Sequence, residues 1–191
     1  MTITAVDTPS LTTEAAAVLA ATPGMRYADF LTAAPAVPGI VAVVAEESAR
    51  AALGLTPATG DVLAVDVADE SLQCREVRAA FQSGRTGASQ LRQGLAALLR
   101  DVLALDVERT SPGAAGAGFA LTPESEETLT AWMREHLTLR AWVAQDASAL
   151  EGVAREVAAD LAPALQPGAL EASVAQRVAA MRASARRSAT L

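Results

Sequence analysis

The sequence of 191 residues has no lysine, one histidine (His136), one cysteine (Cys74), one tyrosine (Tyr27), and only three Phe and two Trp. Each scarcity removes a chemistry. A zinc or iron centre of the His/Cys type needs three or four ligands of kinds this chain supplies only twice, so only a metal held by carboxylates remains open. A disulfide or a CxxC redox pair needs two cysteines, so Cys74 is expected to be a reduced thiol in a cytoplasmic protein. The few aromatics argue against a platform that stacks unpaired bases. No stretch approaches the roughly 18 apolar residues of a membrane-spanning helix, and residues 1–10 lack the basic start and apolar run of a signal peptide.

What is abundant is alanine, 46 residues, in a chain that is 51% apolar. A core of Ala, Val and Leu in one folded unit is the expectation. Charge is unevenly spread around a net of −7. Residues 1–70 hold two Arg against nine acids, and residues 101–171 four Arg against twelve. Residues 71–100, by contrast, hold five Arg against Glu76 alone, and residues 172–191 four Arg and no acid. Two basic segments in an acidic chain are either solvated helix faces or a local surface for an anionic partner.

The pattern predicts short Ala-rich helices over 11–21 and 25–34, then strands over 40–45 and 61–67 that pair antiparallel across a short helix and turn. Asp69 is a fitting N-cap for a helix over 70–81, and Leu91, Leu95, Leu98, Leu99 and Val102 give a helix over 89–103 with Arg92 and Arg100 off its apolar stripe. The stretch 110–118 reads as a loop. Thr122-Pro123-Glu124 opens a helix that ends near His136, and 137–144 alternates as a third strand. Residues 147–161 are helical, Pro163 and Pro167-Gly168 interrupt, and 169–187 form a last amphipathic helix. His136, at a helix end, suits the helix dipole, and Trp132 and Trp142 suit core volume.

The segments SLQCREVRAAFQSGRTGASQLRQGLAALL (71–99) and LTPESEETLTAWMREHLTLRAWV (121–143), with PGIVAVV (38–44) and LAPALQ (161–166), resemble a subgroup of the GIY-YIG nuclease superfamily. The resemblance covers about residues 38–166 in family order. It implies an α/β (α+β) fold, a small three-stranded antiparallel sheet flanked by helices, with a helical lead-in over 1–37 and a basic amphipathic helix over 167–191. It also implies divalent-metal-dependent cleavage of DNA, which needs strand tyrosines, a helix arginine and a metal-holding glutamate.

At those positions the chain departs. Gly39-Ile40-Val41 stands where the family has GIY, and Ala64-Val65-Asp66 where YIG-like residues are expected. Ala80 precedes Phe81 in place of a His, and the glutamate position falls at Ala154. Glu156 lies about 200° around the helix from Ala154 and faces nearly away, whereas Glu151, about 300° around, leans toward the site. Arg75 keeps the helix arginine. Without a base or a metal ligand, most of the barrier reduction is lost.

The reading is therefore a non-catalytic, GIY-YIG-like DNA-binding protein, a bacterial accessory of DNA repair or genome maintenance, with no catalytic residues, no metal and no cofactor. Arg75, Arg78, Arg85, Thr86, Gly87, Ser89 and Arg92 would grip phosphates of single- or double-stranded DNA, where backbone N–H groups at a helix start can meet an anion. Arg177, Arg182, Arg186 and Arg187 would add a second contact. For Arg75 the alternative is an ion pair with Glu70 or Glu76, for Arg85-Thr86-Gly87 a tight turn, and for the last helix a packing or homodimer element. Two rival functions stay open: an Mg²⁺- or Mn²⁺-dependent endonuclease using Asp66, Glu151 or Glu156, and an interaction scaffold that does not bind nucleic acid.

Overall fold

The apolar run after Pro38 forms strand β1 (Gly39–Ala45), and every residue in it is buried. The reason is its position: it is the middle strand of a three-stranded antiparallel sheet, between β2 (Val62–Ala68) and β3 (Leu137–Val143). The structure is a computed structural model that describes residues 8–55, 60–73, 75–108, 119–166, 170 and 172–187, without the side chains of 8–10, 75, 76, 186 and 187. The expectations at Cys74, loop 110–118 and Pro167-Gly168 lie outside the described residues.

Because successive strand residues point to opposite faces, β1 feeds two cores. Ile40, Ala42 and Val44 pack with Val62, Val65 and Trp142 against α1 (Thr8–Ala21) and α7 (Leu150–Leu161). Val41, Val43 and Ala45 join Phe30 of α2 (Tyr27–Ala33), Leu53 of α3 (Glu47–Leu53) and Val77 of α4 (Arg75–Ala80). The same core takes in α5 (Gln90–Leu99), α6 (Pro123–His136) and α8 (Ala172–Arg187). The fold is thus α+β, as expected. Both extensions belong to it: Ala15 and Leu19 of α1 and Val174, Val178 and Met181 of α8 are buried in these two cores. Trp132 and Trp142 are core residues. Among the described residues no helix is long and apolar enough to cross a membrane.

Three local expectations are corrected. The helix predicted over 70–81 shrinks to Arg75–Ala80, because the preceding residues find other partners. Asp69 Oδ1 accepts from the Glu70 N–H rather than capping a helix, Leu72 N–H donates to Val37 O, and Gln73 Nε2 donates to Ala34 O. The helix predicted over 89–103 ends at Leu99, and Val102, assigned to its stripe, is 62% exposed beyond it. Arg92, placed off that stripe, is instead fully buried, since α5 is enclosed from Leu91 to Leu99.

Both sheet edges are partly covered by the chain itself. On β3, Met25 exchanges both backbone hydrogen bonds with Leu139. On β2, the segment after α7 does the same work: Ala164 N–H donates to Val62 O, Leu165 N–H to Leu63 O, and the Gln166 side-chain amide bonds both N–H and C=O of Val65.

Candidate functional site

The loop after α4 was the expected anion-binding element, and its backbone donors do hold an anion, one that belongs to the chain. The N–H groups of Gly84 and Thr86 donate to the two carboxylate oxygens of Glu126, each at 3.1 Å. Gly84 adopts φ +76°, a conformation that suits glycine. Arg92 completes the arrangement from α5, with Nη2 at 2.7 Å from Glu126 Oε2 and at 2.9 Å from Thr130 Oγ1. Its Nε donates to Thr86 Oγ1 and its Nη1 to Ala80 O. Burial lowers the Arg92 guanidinium pKa from its ordinary value, an effect that Glu126 offsets only in part.

Arg92 and Thr86 are therefore removed from the surface set: both are 0% exposed, and the groups that were to meet a phosphate are engaged inside. The sequence shows which face these residues share, though not how deeply it is buried. Arg92, Leu95 and Leu99 share one helix face at i, i+3, i+7, and Glu126 and Thr130 stand at i, i+4 beside Leu129 and Met133 on α6. Arg134 of α6 tightens the same loop, donating through Nε and Nη2 to Phe81 O while its guanidinium lies 5.4 Å from the centre of the Tyr27 ring. Helix α6 thus clamps the loop at Phe81, Gly84 and Thr86.

Other candidates remain at the surface or serve the turn. Ser89 Oγ caps α5, accepting from the Arg92 N–H. Gly87 lies in a short 3-10 turn, and its carbonyl accepts from Gln93 Nε2. Arg78 and Arg85 are exposed. On α8, Arg177 is exposed, and Arg182 Nη2 donates to Gln93 Oε1 at 3.0 Å. Gln93 therefore ties α8 to the loop, and the two basic segments, far apart in sequence, meet at α5. The side chains of Arg75, Arg186 and Arg187 lie outside the described set.

The positions singled out by the family resemblance surround the edge of β2. Val41 and Val65 are buried in opposite cores. Asp66 stands opposite Val41 in the sheet register, so its side chain leaves the same face. It borders two recesses. An open cleft of about 790 Å³ runs between β2 and α7, bordered by Val67, Glu151, Ala154 and Arg155. A smaller recess of about 380 Å³ lies toward α4 and α5, bordered by Ala80, Arg85 and Ser89. Asp66 reaches water, yet the apolar walls around it raise its carboxyl pKa by desolvation. As the helical spacing predicts, Glu151 borders the cleft, whereas Glu156 turns away and accepts from Thr12 Oγ1 at 2.6 Å. Among the described residues no group of three or more His, Cys, Asp or Glu side chains could hold a metal ion.

Sequence reasoning missed Gln166, whose amide closes part of the β2 edge, and Glu126, whose carboxylate holds the loop after α4. No protein-family model, no curated protein and no solved structure matches the chain.

Proposed function

We propose that the chain binds DNA through its phosphates, as a non-catalytic accessory of DNA repair or maintenance associated with the nucleoid. The observation that carries this reading is the packing of α8 on α5, with Arg182 joined through Gln93 to Gly87. It brings a helix free of acids beside a loop that presents Arg85, and so gathers positive charge in a chain whose net charge is −7. Arg78, Arg85, Arg177 and Arg182 are the side chains that would meet phosphates, which position a duplex without reading its sequence.

The test is fluorescence anisotropy of labelled duplex and single-stranded DNA at several salt concentrations. Three to four phosphate contacts give log K a slope of about −3 against log salt on duplex DNA. Replacing Arg85 and Arg177 together by Ala should weaken binding and flatten that slope by about 2. Absence of salt-dependent binding by the folded wild-type chain would overturn the reading. The same samples held with Mg²⁺ or Mn²⁺ should keep their DNA intact. Cleavage lost in Asp66→Asn would favour the endonuclease alternative instead. The scaffold alternative through a homodimer of α8 would have to use a face other than Val174, Val178, Met181 and Ala185, which are buried within the chain.

A further inference from the structure

Two neighbouring polar residues of α5, Arg92 and Gln93, are buried, and both hold the loop that precedes the helix. Consecutive helix residues leave the axis about 100° apart, so the two grip the loop from different sides. Arg92 reaches toward α6, where its Nε donates to Thr86 Oγ1 and its Nη2 pairs with Glu126. Gln93 reaches toward α8. Its Nε2 donates to Gly87 O at 3.3 Å, and its Oε1 accepts from Arg182 Nη2 at 3.0 Å.

These partners fix which way the amide points. A guanidinium only donates and a carbonyl only accepts, so the amide oxygen must face Arg182 and the nitrogen must face Gly87. Glu at this position would keep the acceptor and lose the donor, and Leu would lose both. Gln93 is only 5% exposed, so water is poorly placed to replace either bond.

Packing alone does not call for this amide. Helix α8 already buries Val174, Val178, Met181 and Ala185 in the same core. What Gln93 adds is the placement of a charge. With Nη2 engaged, Arg182 keeps Nη1, which is not buried and makes no hydrogen bond among the described residues. Arg85 stands exposed two residues before Gly87. The amide therefore lies between an arginine of the loop and an arginine of the last helix.

We infer that Gln93 is a positioning residue that couples the two basic segments, so that a phosphate held by Arg182 is felt at the loop and one held by Arg85 is felt at α8. This role rests on the DNA-phosphate reading above and adds to it a route between its contacts. Such a coupling is reciprocal. Contacts that share one hydrogen-bond network act non-additively, whereas independent contacts add.

The experiment has one arm without DNA and one with it. In the first, NMR of the full ¹³C,¹⁵N-labelled chain follows the Gly87 carbonyl carbon and the Ala88 amide, which report the bond from Gln93. Arg182→Ala should shift both signals, and should leave them in place when Gln93→Leu is already present. An unmoved Gly87 carbonyl, or the same shift in the Gln93→Leu background, would overturn the inference. In the second arm, anisotropy on duplex DNA measures Arg85→Ala, Arg182→Ala and the pair. With Gln93 present, the Kd of the double variant should depart from the product of the two single fold-changes by at least about twofold. In Gln93→Leu and in Gln93→Glu the fold-changes should simply multiply. Gln93→Glu is the sharper variant, because it keeps an acceptor for Arg182 while setting an anion against Gly87 O. Multiplying fold-changes in the chain with Gln93, or a departure that persists in Gln93→Leu, would overturn the inference and leave salt-dependent DNA binding standing. A folded wild-type chain without salt-dependent binding would overturn the DNA reading and this role with it.

Discussion

Arg92 and Glu126 face each other at 2.7 Å with almost no exposure to water, 0% and 5% for their side chains. The pair is held from two sides, since the Glu126 carboxylate also takes the N–H groups of Gly84 and Thr86. Removing either member leaves a buried charge without its counterpart, which costs about 3–5 kcal/mol. Arg92→Ala and Glu126→Ala should therefore each lower the urea midpoint strongly. The double variant should lose less than the sum of the two, because one coupling is counted in both. Full additivity in a double-mutant cycle would mean that the pair is not what holds the loop to α6.

That pair also shows where a sequence stops being legible. β1, β2 and their antiparallel pairing follow from β-branched runs between turn residues, β3 from the alternation over 137–144, and α6 from Thr122 with Pro123. The fate of Arg92 depends on whether α5 lies at the surface or under other helices, which periodicity alone does not decide. A buried arginine and an exposed one look alike until Glu126, 34 residues away, is seen to meet it. Asp69 failed as a cap for a similar reason, since Val37 O takes the Leu72 N–H and Ser71 Oγ takes the Gln73 N–H, the backbone donors that a cap would bind.

Gly39 is a glycine whose need has a local cause. A Cβ at this position would overlap the Trp142 carbonyl oxygen and press on Leu72. Since backbone on both β1 and β3 would have to part, Gly39→Ala should cost about 1–3 kcal/mol, toward the upper end. Chemical unfolding checks this directly. A near-neutral substitution would show that the β1–β3 ladder can shift at its end.

Asp66 ties stability to pH in the direction opposite to a salt-bridged acid. Desolvation raises its carboxyl pKa above the ordinary value of 3.8. Between that value and the folded-state pKa the native chain binds more protons than the unfolded chain, so stability falls as pH rises through this window. The penalty is present in full above the folded pKa and vanishes below 3.8. Asp66→Asn should accordingly raise the thermal midpoint at pH 7, with the advantage fading as the pH drops toward 3.8. An advantage that persists unchanged at acid pH would point to packing rather than to the charge.

Gln166 closes an edge that would otherwise be sticky. Its amide satisfies the outward N–H and C=O of Val65, and without it both Val65 and Val67 would lack an edge partner among the described residues. Two hydrogen bonds of about 1 kcal/mol each set the scale of the loss in Gln166→Ala, reduced by whatever water replaces them. The larger consequence concerns association, since a longer unpaired edge templates pairing with another chain. Light scattering on Gln166→Ala should show self-association that grows with protein concentration, and Gln166→Glu should lose stability similarly while the added charge restrains the association. If Gln166→Ala stays as monodisperse as the wild type, Asp66 and the overhanging α7 are sufficient to guard the strand, and the clip serves stability alone.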